Sequence, residues 1–366
     1  MVNYKLLTPG PLTTTKTVKE QMLFDHCTWD DDYKKITIDI INKLLKLAHV
    51  TKDEYACTLM QGSGTFGVES VITSSVGEED KLLILANGAY GKRMSEIAEH
   101  SKINYVMYVE EYNKRHDLNK IKEILESDSD ITHVSMVHSE TTSGILNDIK
   151  SVSDVVKSYD KTFIVDAMSS FGGIDIPVKD YNIDFIISSA NKCIQGVPGF
   201  SFIIAKKDEL LKCKDKARSL SLDLYAQWET MNKDGKWRFT SPTHTVLAFN
   251  KALDELNEEG GIEKRHQRYY NNNRLLIEKM KELGFDTYVD IDYQSPIITS
   301  FIYPKDAKYT FEEMYNFIKQ RGYAIYPGKI EDINSFRIGN IGEIYEEDII
   351  KLYEIFREFL KGVENE

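Results

Sequence analysis

Four short stretches of this 366-residue chain place polar side chains directly behind apolar runs, where they could do chemistry. The run 82–86 is followed by Asn87-Gly88-Ala89-Tyr90-Gly91, and 132–137 by His138-Ser139-Glu140-Thr141-Thr142. The run 162–166 ends on Asp166, and 183–188 leads into Ser189-Ala190-Asn191-Lys192. If these runs are strands of an open parallel sheet, ligands collect outside their carboxyl ends. An aromatic ring, hydroxyls, a carboxylate and an amine would then meet at one edge. Asp166 and Lys192 are separated by about 26 residues, roughly one strand-to-strand crossover, so they can face one cavity from neighbouring strands. Taken singly, each has a plainer reading: Asp166 as a turn cap, Lys192 as a solvated loop charge, Tyr90 as a core ring.

A fifth stretch, Gln61-Gly62-Ser63-Gly64-Thr65-Phe66-Gly67-Val68-Glu69-Ser70, offers what an anionic group would need. Its glycines let backbone N–H groups approach an oxyanion, Ser63 and Thr65 add hydroxyls, and a helix starting near Thr65 would point its positive end at the anion. The pattern is neither a P-loop nor a dinucleotide fingerprint, and it does not follow a clear strand. A flexible helix-start loop is the alternative. A phosphate cradle, an aromatic plate, a strand-end Asp and a following Lys have one economical joint reading, a pyridoxal 5'-phosphate (PLP) site. PLP needs an amine to form an imine, a carboxylate to keep its ring nitrogen protonated, and an anchor for its phosphate.

The elements that must position these residues follow from periodicity. Short apolar runs at 82–86, 103–109, 132–137, 162–166, 183–188 and 200–205 alternate with amphipathic helical stretches, which is the pattern of an α/β fold with a mostly parallel sheet between helices. The opening Leu7-Thr8-Pro9-Gly10-Pro11 reads as a loop, because its prolines and glycine disfavour regular structure. Helices are expected near 243–256, 262–283, 310–321 and 345–361, and strands at 297–303, 323–326 and 335–338. This divides the chain into an N-terminal arm (1–20), a large domain (21–255) and a smaller α+β domain (256–366), with Gly260-Gly261 near the boundary. Acidic runs at 29–32 and 257–259 read as solvated turns or helix ends.

Composition narrows the function. A net charge of −12 and a pI near 5.3 disfavour nucleic acid as a partner, since phosphate binding calls for clustered cations. The four cysteines, Cys27, Cys57, Cys193 and Cys213, are too few and too spread for a disulfide scaffold or a zinc site, so no metal is expected. With no signal-peptide pattern and no apolar stretch long enough to span a bilayer, a cytoplasmic protein without membrane contact is expected.

At this point the motifs resemble a known family. Those already quoted, with Glu140-Thr141-Thr142-Ser143-Gly144, Val165-Asp166-Ala167-Met168-Ser169-Ser170 and Ser189-Ala190-Asn191-Lys192-Cys193-Ile194-Gln195-Gly196-Val197-Pro198-Gly199, are similar to the fold-type I, class V aminotransferases of the 2-aminoethylphosphonate:pyruvate transaminase type, and the likeness runs end to end. It implies a seven-stranded-type sheet and a PLP cofactor joined to Lys192, with Asp166 on the pyridinium. Tyr90 would stack on the ring, where many relatives carry Trp. Ser63, Gly64 and Thr65 would hold the phosphate, Asn191 would add a contact, and Met168 would lie beside the cofactor. Thr141 or the adjacent Thr142 would sit near the ring oxygen. Thr240 would reach the phosphate of a partner subunit, implying a homodimer with shared sites. Arg337, with the Pro9 and Gly10 loop, would bind the acid group of the substrate; without the resemblance, a strand arginine in an acidic chain reads as a surface ion pair.

The reaction implied is amino transfer from 2-aminoethylphosphonate to pyruvate. An alanine:glyoxylate or serine:pyruvate aminotransferase would use the same parts. A desulfurase would need a reactive cysteine in the second half, where none lies beyond Cys213. A non-catalytic PLP-fold module would have no use for the Lys192 and Asp166 pair. His138, Glu140 and Cys193 could do no more than shape the cavity wall.

Overall fold

Seven strands form the central sheet of the structure, a computed structural model that describes residues 4–331 and 333–364. They are β1 (Tyr55–Gln61), β2 (Lys81–Ala86), β3 (Asn104–Val109), β4 (Ile131–Val137), β5 (Thr162–Asp166), β6 (Phe185–Ser189) and β7 (Phe200–Lys206), in the spatial order β1-β7-β6-β5-β4-β2-β3. Only β7 runs antiparallel to its neighbours; every other pairing is parallel.

Both faces of this sheet are buried. Alternate side chains divide between two cores, as the two-residue repeat of a strand requires. Leu83, Leu85, Met136, Phe163 and Val165 pack on one side with helices α1 (Asp31–Leu47) and α4 (Thr243–Glu258). Leu82, Ile84, Ile164 and Ile187 pack on the other with α2 (Gly64–Ser75) and α3 (Ala89–His100). The fold class is the α/β arrangement expected.

Strand β1 corrects one expectation, for the glycine-rich stretch does follow a strand. Tyr-Ala-Cys-Thr-Leu-Met-Gln has neither a long apolar run nor alternation, yet its first six residues are buried. Burial comes from β7 on one edge and from the helix Leu224–Asp234, whose Gln227 side-chain amide donates to the Leu59 carbonyl at 3.0 Å. Tertiary cover, not local pattern, makes this strand.

A second, antiparallel sheet contains β8 (Asp286–Thr287), β9 (Ile298–Ile302), β10 (Tyr326–Pro327) and β11 (Ser335–Gly339), ordered β8-β9-β11-β10. Helices α5 (Gly261–Glu282), α6 (Phe311–Gln320) and α7 (Glu346–Glu364) accompany it, and Met280, Phe285, Phe301, Met314, Phe336 and Phe356 share one core. The strand expected at 323–326 is two pieces. Tyr323–Ala324 leaves this sheet to pair in parallel with Lys5–Leu6, so the opening segment is anchored by a short strand before its loop. The acidic run at 257–259 is also more than a solvated end: Glu259 bridges Arg265 at 2.6 Å and Arg268 at 2.8 Å.

Candidate active site

The ends of β4, β5 and β6 meet at one point. The His138 N–H donates to the Asp166 carbonyl at 2.8 Å and the Ala167 N–H to the Ile187 carbonyl at 2.9 Å, fixing the turns that leave the sheet. Beyond them lies a cavity of about 170 Å³, where Ser63, Gly64, Thr65, Tyr90, Thr141, Asp166, Met168, Asn191 and Lys192 all appear in the wall. Nine residues from five separate stretches of sequence thus converge.

Asp166 is buried, with 6% of its surface exposed. One carboxylate oxygen accepts the Met168 N–H at 2.8 Å, and the other makes no hydrogen bond among the described residues. Burial pushes its pKa up to about 6; Glu140 adds to the rise, while the Met168 N–H, Lys192 and Arg93 oppose it. Lys192 donates from Nζ to the Pro9 carbonyl at 2.9 Å. Burial brings its amine down to about 8, Cys193 and Asp166 pull it back up, and Arg337 lowers it further. A lysine so placed spends an appreciable fraction of its time as the neutral amine near neutral pH.

Opposite Lys192, the start of α2 forms a cradle. Ser63 is the N-cap residue but makes no capping bond, so its hydroxyl is free to serve something else. Gly64 has no room for a side chain: a Cβ there would collide with the Met168 Sδ. Ser189, also in the wall, has a buried hydroxyl with no hydrogen-bond partner. Such an orphan is costly unless a ligand satisfies it.

Tyr90 is held through Glu140, a fully buried carboxylate. Its oxygens accept the N–H groups of Tyr90 at 3.1 Å, Gly91 at 3.2 Å and Thr142 at 3.0 Å, and the Thr142 hydroxyl at 2.6 Å. Glu140 therefore caps α3 and sets the direction of its first turn. The same contacts separate two neighbouring threonines. Thr142 is spent on Glu140 and on the Ala89 N–H, whereas Thr141 lies in the cavity wall.

Arg337 lies on β11 with 6% of its surface exposed. It donates from Nε to the Pro327 carbonyl at 3.0 Å and from Nη1 to the Thr141 carbonyl at 2.8 Å. Among the described residues it has no carboxylate partner, so the surface ion pair is not what forms. Pro9 and Gly10 close over Lys192, and a Cβ on Gly10 would stand 2.7 Å from the Lys192 Cδ. Thr240 is exposed and lies outside this cavity wall.

Arg93 escaped the sequence reading, and Ser139, Ser169 and Ser189, which stand in the quoted motifs without an assigned role, also line the cavity. Arg93 stands three residues after Tyr90 on one helix face, a spacing that could have revealed it; its guanidinium lies 4.9 Å from the Tyr90 ring centre and 3.4 Å from the Thr65 hydroxyl. His138 bonds Ser170 at 2.9 Å, and burial holds its pKa down to about 3, so it is a neutral buried residue outside the cavity wall. Cys193 is buried and contacts the Ser169 carbonyl.

Residues 45–330 match the family described as Aminotransferase class-V. The chain belongs to the class V aminotransferases. A 2-aminoethylphosphonate–pyruvate transaminase of Lysinibacillus sphaericus is 57% identical over 366 residues, covering 100% of both chains. A bifunctional phosphonoacetaldehyde hydrolase/aminoethylphosphonate transaminase of Clostridioides difficile is 55% identical over 98% of this chain and 56% of its own length. In fold, ureidoglycine-glyoxylate aminotransferase from Bacillus subtilis superposes with a TM-score of 0.91 over 98% of this chain and 93% of its own, at 23% identity.

The cofactor of this class V aminotransferase is pyridoxal 5'-phosphate. The cavity fits it: an amine, a buried carboxylate with a free oxygen, an uncapped helix start and an unsatisfied serine hydroxyl are the four groups its aldehyde, ring nitrogen and phosphate require. Among the described residues no helix is long and apolar enough to cross a membrane.

Proposed function

We propose that this chain transfers the amino group of 2-aminoethylphosphonate to pyruvate, yielding phosphonoacetaldehyde and L-alanine. The observation that carries the reading is Arg337, a buried guanidinium with no carboxylate partner among the described residues, bonded to Thr141 in the wall of a lysine-and-aspartate cavity, in a chain 57% identical throughout to a transaminase of that name. A guanidinium fork binds a phosphonate or a carboxylate with paired hydrogen bonds, so one residue can serve the donor and then the acceptor.

Pyridoxal phosphate, when bound, supplies the electron sink that acidifies the C–H beside the transferred nitrogen. Lys192 holds the cofactor between turnovers. Once freed from the cofactor, its Nζ would be the group that moves a proton from the donor carbon, a role suited to an amine whose pKa is brought down to about 8. Asp166 holds the proton on the ring nitrogen through its free oxygen. Ser63, Gly64 and Thr65, with Asn191 and Ser189, bind the phosphate. Tyr90 and Met168, in the cavity wall, would flank the ring, and Thr141 would face its oxygen. Pro9 and Gly10 exclude water above Lys192, and the Gly10 N–H is available to an acid oxygen.

A homodimer with shared sites belongs to the same reading. Phe66, Leu220 and Phe239 expose 48%, 75% and 48% of their surfaces, and Thr240 follows the last of these. A second copy would cover these apolar side chains and receive Thr240 at its phosphate. Residues 256–366 would act as the smaller domain, carrying Arg337 toward the cofactor bound by residues 21–255. Four free cysteines, three of them buried, suit a reducing cytoplasm.

A donor panel tests the proposal. With the cofactor-loaded protein, 2-aminoethylphosphonate should aminate the cofactor faster than serine or alanine at equal concentration. A faster response to serine, with pyruvate or glyoxylate as acceptor, would move the chain to the serine:pyruvate or alanine:glyoxylate reading.

A further inference from the structure

One cation near the site has no partner that explains it. Lys329, two residues after β10, is partly buried, and its ammonium lies 4.3 Å from the centre of the Tyr90 ring. No carboxylate or carbonyl among the described residues holds it. The segment that carries it is fixed: the Gly328 N–H donates to the Ser335 carbonyl at 3.0 Å, and Glu331 reaches Lys92 on α3 at 4.0 Å. Lys329 is thereby laid across the first turn of α3 from the same sheet that supplies Arg337.

The charges around it do not cancel. Burial, with Arg93 and Arg337 nearby, holds the Lys329 ammonium below its ordinary pKa, while Glu140 and Glu96 oppose this. Glu140 is already committed to four donors. Arg93 leans toward the α2 cradle through Thr65, on the phosphate side. Two cations thus remain near Tyr90: Lys329, on its ring, and Arg337, whose Nε and Nη1 are bonded to the Pro327 and Thr141 carbonyls while its Nη2 has no hydrogen bond among the described residues. A carboxylate brings one negative charge and needs only one of them. A phosphonate can bring a second charge and a third oxygen.

We propose that Lys329 is the specificity-determining partner of Arg337, engaging the second charge of a dianionic donor and so favouring a phosphonate over acid groups that carry one charge. The inference rests on the donor reading above. Its physical basis is that a flexible ammonium parked on an aromatic face leaves it readily for a full anion, whereas a lysine in an ion pair would not. Arg337 fixes orientation with its planar fork, and Lys329 adds a mobile point charge.

Two unreactive anions of equal size separate charge from shape: ethylphosphonate and ethanesulfonate. Their dissociation constants for the cofactor-loaded protein are to be measured at pH 8 for wild type, K329Q and K329R. Wild type should prefer ethylphosphonate at least about tenfold. K329Q should narrow the preference to within about threefold, and K329R should keep it. An unaltered preference in K329Q overturns the inference, as does a preference lost in K329R, which would assign the effect to side-chain shape. A K329Q protein that cannot load cofactor would place Lys329 on the cofactor instead and equally overturn it. If wild type binds ethylphosphonate but turns over serine rather than 2-aminoethylphosphonate, the donor reading fails while the Lys329 measurement still stands on its own.

Discussion

Lys192 and Pro9 are joined by a hydrogen bond of 2.9 Å between residues 183 apart in sequence, so the opening loop of the chain is built directly onto the reactive amine. The adjacent Gly10 has φ near 125°, a region that L side chains rarely adopt, and a Cβ there would stand 2.7 Å from Cδ and 2.8 Å from Nζ of Lys192.

Gly10→Ala should therefore displace Lys192 rather than unfold the protein. The backbone strain is of order 1–3 kcal/mol, and misplacement of the amine should lower kcat by roughly 10- to 100-fold. Steady-state kinetics beside thermal melting check this; a variant with normal turnover would show that the loop does not position the amine.

The buried amine also has a pH signature. With its amine brought down to about 8, Lys192 in cofactor-free protein should capture the cofactor aldehyde increasingly as pH rises through about 8, because only the neutral amine attacks. Arg337 depresses that pKa, so Arg337→Met should move the midpoint upward. Stopped-flow absorbance against pH reads both. A midpoint near 10 in wild type would mean that the site does not desolvate the lysine.

Asp166→Asn keeps the shape of the side chain and its acceptor for the Met168 N–H but removes the charge proposed to face the ring nitrogen. The loss in kcat should be about 100- to 1000-fold, comparable with deleting one preorganised electrostatic contact, with a smaller change in cofactor affinity. Equilibrium cofactor titration and turnover of the same samples separate the two; losses of equal size would make Asp166 a binding residue only.

Glu140 is the structural counterpart. Glu140→Ala leaves the N–H groups of Tyr90, Gly91 and Thr142 and the Thr142 hydroxyl without their acceptor, and the unfolding free energy should fall by about 2–5 kcal/mol. Glu140→Gln should recover part of this. Denaturant titration of both variants provides the measurement, and an unchanged midpoint for Glu140→Ala would contradict the capping role.

Much of this was legible in the sequence because strand ends in a parallel sheet are where the apolar run stops, and Asp166, Lys192 and the threonines stand at those stops. What was illegible depended on contacts from far along the chain. Strand β1 carries no periodic signal and exists because β7 and Gln227 cover it. Thr141 and Thr142 are distinguished only by Glu140, whose buried carboxylate claims one of them. Ser189 was read as the start of a loop, yet it ends β6, which turns its unpartnered hydroxyl into the cavity wall. Arg93 and Lys329 acquire meaning only once Tyr90 lies between them.

In the proposed transfer from 2-aminoethylphosphonate to pyruvate, Lys192 is the residue that moves the proton. The most direct test is a single-turnover mixture of cofactor-loaded protein with both substrates, quantifying L-alanine and phosphonoacetaldehyde against time for wild type and Lys192→Ala. Wild type should give the two products in equal amounts, and Lys192→Ala a rate lower by at least about 100-fold. Full turnover by Lys192→Ala, or L-alanine formed without an equivalent of the aldehyde, would contradict it.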